Sequence, residues 1–167
     1  MRKEKLTFGL IVGTRGFFSP ELARGGRRHL IAQIEELGHK HVILPPDATP
    51  TGAIETLDDA RKCADLFNQH RNEIDGVVVA LPNFGDELGV VNALQFAKLG
   101  VPVLVQASDD ALDKLDTAHR RDAFCGKLSV CNNLYQYGIP FTDTATHTVA
   151  LDGPAFARDL EFFAGVC

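Results

Sequence analysis

Apolar positions in the first hundred or so residues come in two alternating kinds. Residues 6–12 (LTFGLIV) form an almost unbroken apolar run, as expected of a strand covered on both faces. From Pro20 the spacing changes, and Leu22, Leu30, Ile34 and Leu37 recur at helical intervals until Gly38 stops them. The couplet then repeats. KHVIL at 40–44 reads as a second strand closed by Pro45 and Pro46, and Ala60, Cys63, Ala64 and Phe67 mark one face of a second helix. DGVVVAL at 75–81 is a third strand. Val90, Val91, Leu94 and Ala97 give a third helix ending at Gly100, and VPVLVQ at 101–106 is a fourth strand. Strands buried on both faces and joined by helical crossovers predict a parallel sheet with helices on either side.

The remainder is less regular. Residues 109–122 are polar, after which Phe124, Leu128, Cys131 and Tyr135 predict the buried stripe of a fourth helix, broken at Gly138-Ile139-Pro140. A short strand is expected near residues 146–151. Asp152-Gly153-Pro154 opens a last helix with Phe156, Ala157, Leu160, Phe163 and Ala164 facing inward. That stripe is still running when the sequence stops at Cys167, so the chain is expected to be the front part of something longer. At 167 residues it suits one domain, here taken as residues 1–167.

Composition excludes several classes. Hydrophobic residues make up 45%, charged residues 23%, and the net charge is -5, so nucleic acid and anionic membranes are poor partners. Arg2, Lys3 and Lys5 precede only a short apolar run without a small-residue cleavage pattern; no export signal is read, and the cytoplasm is the expected location. No stretch reaches the roughly 18 uninterrupted apolar residues of a membrane helix. Cys63, Cys125, Cys131 and Cys167 lack paired spacing and are expected as reduced thiols rather than bridges or zinc ligands.

The architecture directs attention to chemistry. Ligands of open parallel sheets bind beyond the carboxyl ends of the strands, which singles out the loops at 13–19, 45–51, 82–86 and 106–110. In the first, Gly13 and Gly16 free the backbone, Arg15 offers a planar fork of donors, and Phe17 and Phe18 offer flat faces, a set suited to a sugar ring. The spacing is neither the dinucleotide fingerprint nor a P-loop. A tight strand-to-helix turn with a solvated Arg15 accounts for the residues equally well, and the two readings stand side by side. Arg24, Arg27 and Arg28 are expected on an exposed or subunit-contacting face.

Acidic pairs have plain explanations. Asp86 and Glu87 complement the positive end of the third helix, and Asp58-Asp59 and Asp109-Asp110 read as helix-starting or solvated carboxylates rather than metal ligands. His39 and His41 would share a strand face without a third ligand and are expected at a surface or edge. Ser108 and Ser129 lack a nucleophile-elbow context. No catalytic set and no metal site is assigned within the chain.

Four stretches, IVGTRGFFSPE at 11–21, GVVVALPNFGDE at 76–87, VPVLVQASDD at 101–110 and DAFCGKLSVCNNLYQYGIPF at 122–141, together resemble the amino-terminal domain of the L-fucose/L-arabinose isomerase-like family. The similarity runs in order over nearly the whole chain. It implies an α/β, three-layer α/β/α sandwich, flavodoxin-like, with a parallel sheet ordered 2-1-3-4 and room for a fifth strand, as the first of three domains in a sugar isomerase. Such enzymes interconvert aldoses and ketoses with a divalent metal, usually manganese, held by glutamate, aspartate and histidine of later domains. The resemblance therefore implies no cofactor on this segment. It implies a domain not catalytic alone, with the sugar substrate, the remaining domains of the enzyme and further copies in a homo-oligomer as its partners. In the family this domain helps cover the sugar in a neighbouring subunit through an arginine after the first strand and an aromatic after the third, positions matched by Arg15 and Phe84. Fucose isomerases tend to carry tryptophan in the latter loop; this chain has none, which implies a different sugar. Phe17, Asn83 and Ser108 join the candidate substrate contacts from loop geometry. The alternative from another class is a stand-alone binding module for a sugar or small anion. A flavoprotein lacks its hydroxyl-rich phosphate loop here, and a phospho-receiver lacks its acidic strand ends.

Overall fold

In the computed structural model, residues 5–167 are described; Arg2 and Lys3, two of the basic residues noted above, lie outside the described residues. The chain alternates strand and helix throughout: β1 (Thr7–Val12), α1 (Pro20–Glu36), β2 (Lys40–Val42), α2 (Leu57–Gln69), β3 (Gly76–Leu81), α3 (Glu87–Ala97), β4 (Val103–Ala107), α4 (Ala123–Gln136), β5 (Thr142–Asp143) and α5 (Pro154–Val166). All strand pairings are parallel, and the order across the sheet is β2-β1-β3-β4-β5. The expected order 2-1-3-4 therefore holds and gains a fifth strand at the β4 edge.

Alternation along the strands divides the core in two. Phe8, Leu10 and Val12 of β1, with Val78, Ala80 and Leu104, face α1 and α5 and meet Leu30, Ile34, Phe156, Leu160 and Phe163. Ile11, Val77, Val79, Leu81, Val103 and Val105 face the other way, onto α2, α3 and α4. This is the three-layer sandwich. The central strand β3 is buried at every position, so its run of small branched residues is what both helical layers close upon. Burying each large side chain contributes on the order of 2 kcal/mol, and Phe8 and Phe163 stack at 5.8 Å within the α1/α5 layer.

Helix starts follow local chemistry. Pro20 opens α1 at a position where no N–H is needed. At α2, Thr56 accepts from the Asp59 amide while the Asp59 carboxylate accepts from the Thr56 amide, a reciprocal capping box. Asp86 caps α3 by accepting from the Gly89 amide at 2.8 Å.

Three expectations are corrected. The fifth strand is Thr142–Asp143 and not residues 146–151, which form a loop held to β4 through the Val149 amide and the Ala107 carbonyl at 2.9 Å. On α4, the stripe of Phe124, Leu128 and Tyr135 points outward, while Ala123, Gly126, Lys127, Val130 and Leu134 are buried. The inward stripe is displaced by one residue, about 100° around the helix. Arg27 is buried rather than exposed: it donates to the Leu44 carbonyl at 2.6 Å and the Gly52 carbonyl at 3.0 Å, tethering the β2–α2 connection. Arg24 and Arg28 do lie at the surface.

The strand order places the site. Successive crossovers leave β1 and β3 in opposite directions across the sheet, and in open parallel sheets ligands bind beyond the carboxyl ends of the strands at such a divergence.

Candidate functional site

Arg15, Phe17, Phe18 and Phe84 meet beyond the carboxyl ends of β1 and β3. Loop 13–19 leaves β1 under close control: the Gly13 amide reaches the Ala80 carbonyl at 2.9 Å, the Thr14 amide the Ile54 carbonyl at 3.0 Å, and the Gly16 amide a Glu55 carboxylate oxygen. Loop 82–86 leaves β3 equally fixed. Gly85 turns through φ +71°, a conformation that side chains disfavour, and its amide donates to Asn83 Oδ1 at 3.1 Å.

The loops are joined by Asn83, whose Nδ2 donates to Thr14 Oγ1 at 2.9 Å; both residues are buried. Asn83 thus faces into the protein with both ends of its amide engaged. Ser108 is buried as well, its amide on the Leu81 carbonyl at 3.0 Å and its hydroxyl accepting from Gln106 Nε2 at 3.3 Å. These two candidates sit beneath the rim, where they hold loops, while Arg15, Phe17 and Phe84 lie on it.

At the rim, Arg15 combines two kinds of contact. Its guanidinium carbon stands 4.5 Å from the centroid of the Phe84 ring, and Nη2 pairs with the Glu87 carboxylate, with Asp86 Oδ2 at 3.6 Å. The Arg15 side chain keeps 35% of its surface exposed. Phe84 also stacks on Phe18 at 6.4 Å with ring planes 18° apart, so it is flanked by other groups. Phe17 is the ring offered to solvent, at 67% exposure, set edge-on to Phe18 at 5.6 Å.

A second arginine extends this ladder. The Arg120 guanidinium lies 5.4 Å from the Phe17 ring and 5.9 Å from Phe18, with Asp122 Oδ2 at 3.5 Å from its Nε. Its neighbour Arg121 donates to the Pro82 carbonyl at 2.7 Å, tying segment 109–122 to the β3 loop. Sequence reasoning missed Glu55, Glu87, Arg120 and Arg121 as partners of the loops. Their roles come from residues tens of positions away, and a charged residue in a polar stretch carries no spacing signal.

Behind the rim, α4 supplies a backstop. A Cβ on Gly126 would overlap the Phe84 carbonyl, so only glycine lets the helix approach so closely. One position along the helix, Lys127 is buried and donates to Thr144 Oγ1 at 2.7 Å and the His147 carbonyl at 2.9 Å, and it pairs with Asp143. This fastens the β5–α5 loop to α4.

The arrangement is built for contact. Donors, carboxylate acceptors and flat apolar faces together match the alternating polar and apolar faces of a sugar ring. Among the described residues, no group of three or more His, Cys, Asp or Glu is placed to hold a metal ion. Asp86 and Glu87 converge on Arg15 instead, so these donors do not fit a metal centre. Burial pushes the Cys63 thiol up to about 12, and burial first, then nearby Asp143, pushes Cys131 up to about 11. Neither is suited to act as a nucleophile. All four cysteines are free. Among the described residues, no helix is long and apolar enough to cross a membrane.

The sequence model for the N-terminal domain of fucose/sulfoquinovose isomerase matches residues 9–167. No curated protein matches the chain. With almost its full length matched, the chain belongs to the fucose/sulfoquinovose isomerase family as its N-terminal domain.

Proposed function

From that membership we propose that the domain forms one wall of a sugar site in an aldose–ketose isomerase, completed by other domains and other copies of the enzyme. Arg15 is the sugar-facing donor, and the exposed ring of Phe17, with Phe84 behind Arg15, supplies the apolar face. Asn83 and Ser108 hold the loops that carry them. The observation that carries this reading is the posture of Arg15: it stands just beyond the carboxyl end of β1, braced by Glu87 and Phe84, with a third of its side chain open. Bracing lowers the conformational cost of presenting donors to a ligand.

In this reading the domain contributes contacts to the sugar and not the acid–base pair that moves hydrogen between C1 and C2. Proton transfer and any divalent cation, such as Mn2+, are assigned to the rest of the enzyme. Four free thiols suit a reducing compartment, and we place the enzyme in the cytoplasm.

Arg15→Ala in the isomerase carrying this domain tests the reading. It is expected to raise KM for the sugar about tenfold, the loss of one charged hydrogen-bonding contact. Unchanged KM and kcat would overturn it. Sugar turnover by residues 1–167 alone would overturn the shared site.

A further inference from the structure

An arginine on a binding wall can serve two kinds of ligand. With its charge uncompensated, it attracts sulfonate, phosphate or carboxylate and pairs with it in a bidentate manner. With its charge met by a neighbouring carboxylate, it becomes one donor in a mixed set, and the carboxylate becomes an acceptor for hydroxyl groups. The structure distinguishes the two cases here.

Arg15 has Glu87 on Nη2 and Asp86 at 3.6 Å, and Arg120 has Asp122 at 3.5 Å. Two guanidinium groups on one aromatic ladder therefore face three carboxylates. Asp86 has a structural duty, since its Oδ1 caps α3. Glu87 does not repeat it. Although it sits in the first turn of the helix, where a carboxylate gains from the helix dipole in any outward rotamer, its side chain is directed to Arg15. Glu87 retains 23% side-chain exposure, and the Arg15 it neutralises 35%, so a ligand that reaches one meets the other.

We propose that Glu87 is a specificity-determining residue: by neutralising Arg15 it sets this wall to accept an uncharged sugar and to disfavour one with an anionic substituent at the part facing Arg15. The assignment rests on Arg15 facing the sugar. Hydroxyls can donate to Glu87 and Asp86 while accepting from Arg15; an anion accepts only, and would lie against two carboxylates.

The test compares L-fucose, which is uncharged, with sulfoquinovose, which is sulfonated, as probes of binding to the isomerase carrying this domain, measured by calorimetry. Glu87→Gln keeps the shape and removes the charge, and Glu87→Ala serves as a second variant should glutamine disturb the fold. Either is expected to shift the affinity ratio toward sulfoquinovose by about fivefold, the scale of one partly exposed charge. In the double variant Arg15→Ala/Glu87→Gln that shift should vanish. If Arg15→Ala weakens sugar binding but Glu87→Gln and Glu87→Ala leave the ratio unmoved, the specificity proposal fails and the sugar-wall reading stands. If Arg15→Ala has no effect on either sugar, both fall.

Discussion

The amide nitrogen of Asn83 donates to the hydroxyl of Thr14 at 2.9 Å, joining two loops 69 residues apart in the chain beneath the point where Arg15 and Phe84 meet. Asn83→Ala removes this bond and leaves the Gly85 amide without its acceptor at 3.1 Å. A buried donor left unsatisfied costs about 1–3 kcal/mol, so the urea midpoint should fall accordingly. Sugar affinity should weaken along with it, because both rim loops lose their common tether. Thr14→Val, which spares Gly85, should cost less than Asn83→Ala.

Arg27 offers a test of the fold away from the rim. Its guanidinium carries bonds to the Leu44 and Gly52 carbonyls inside the protein, and burial lowers its pKa from the usual arginine value. Arg27→Met should fill the aliphatic path but strand both carbonyls, at about 2–4 kcal/mol by chemical denaturation. Arg27→Lys should rescue only part of this, because a single ammonium lacks the fork that spans both acceptors.

Cys63 makes stability depend on alkaline pH. In the unfolded chain a thiol ionises near pH 8.5, while burial in the folded protein pushes Cys63 up to about 12. Between these values the unfolded state releases a proton that the native state retains, so stability present below pH 8.5 is lost as pH rises toward 12, by about 1.4 kcal/mol per unit. Denaturation at pH 8 and pH 10 should show Cys63→Ala with a shallower decline than the parent. Equal declines would show that the thiol titrates alike in both states.

Much of this fold is legible in the sequence because a doubly covered parallel sheet writes its strands as apolar runs. LTFGLIV and DGVVVAL contain β1 and β3, and VPVLVQ covers all of β4 but Ala107. The fourth helix was legible as a helix but not in its facing. Its true inner stripe includes Gly126 and Lys127, and a pattern of apolar positions cannot credit a lysine whose ammonium is met by Thr144 and His147. Its outward Phe124, Leu128 and Tyr135 carry the stronger apolar signal. The fifth strand is not legible for a related reason: Thr142–Asp143 is exposed and only two residues long, so no burial pattern marks it.

The rim shows the same division. Loop glycines, Arg15 and Phe17 could be picked out because they follow an apolar strand, where such residues are out of place. That Arg15 already has carboxylate partners was invisible, since Glu87 lies 72 residues away and only the adjacency of β1 and β3 brings them together.

The missing side chain at Gly126 has a consequence for where the aromatic loop can sit. The Phe84 carbonyl rests in the hollow it leaves, so the depth of the aromatic loop is fixed from the rear, by a position on α4. A methyl group there would act as a shim, forcing either the helix or the Phe84 backbone to give way. The posture of the loop is thus governed by a residue that is no part of it.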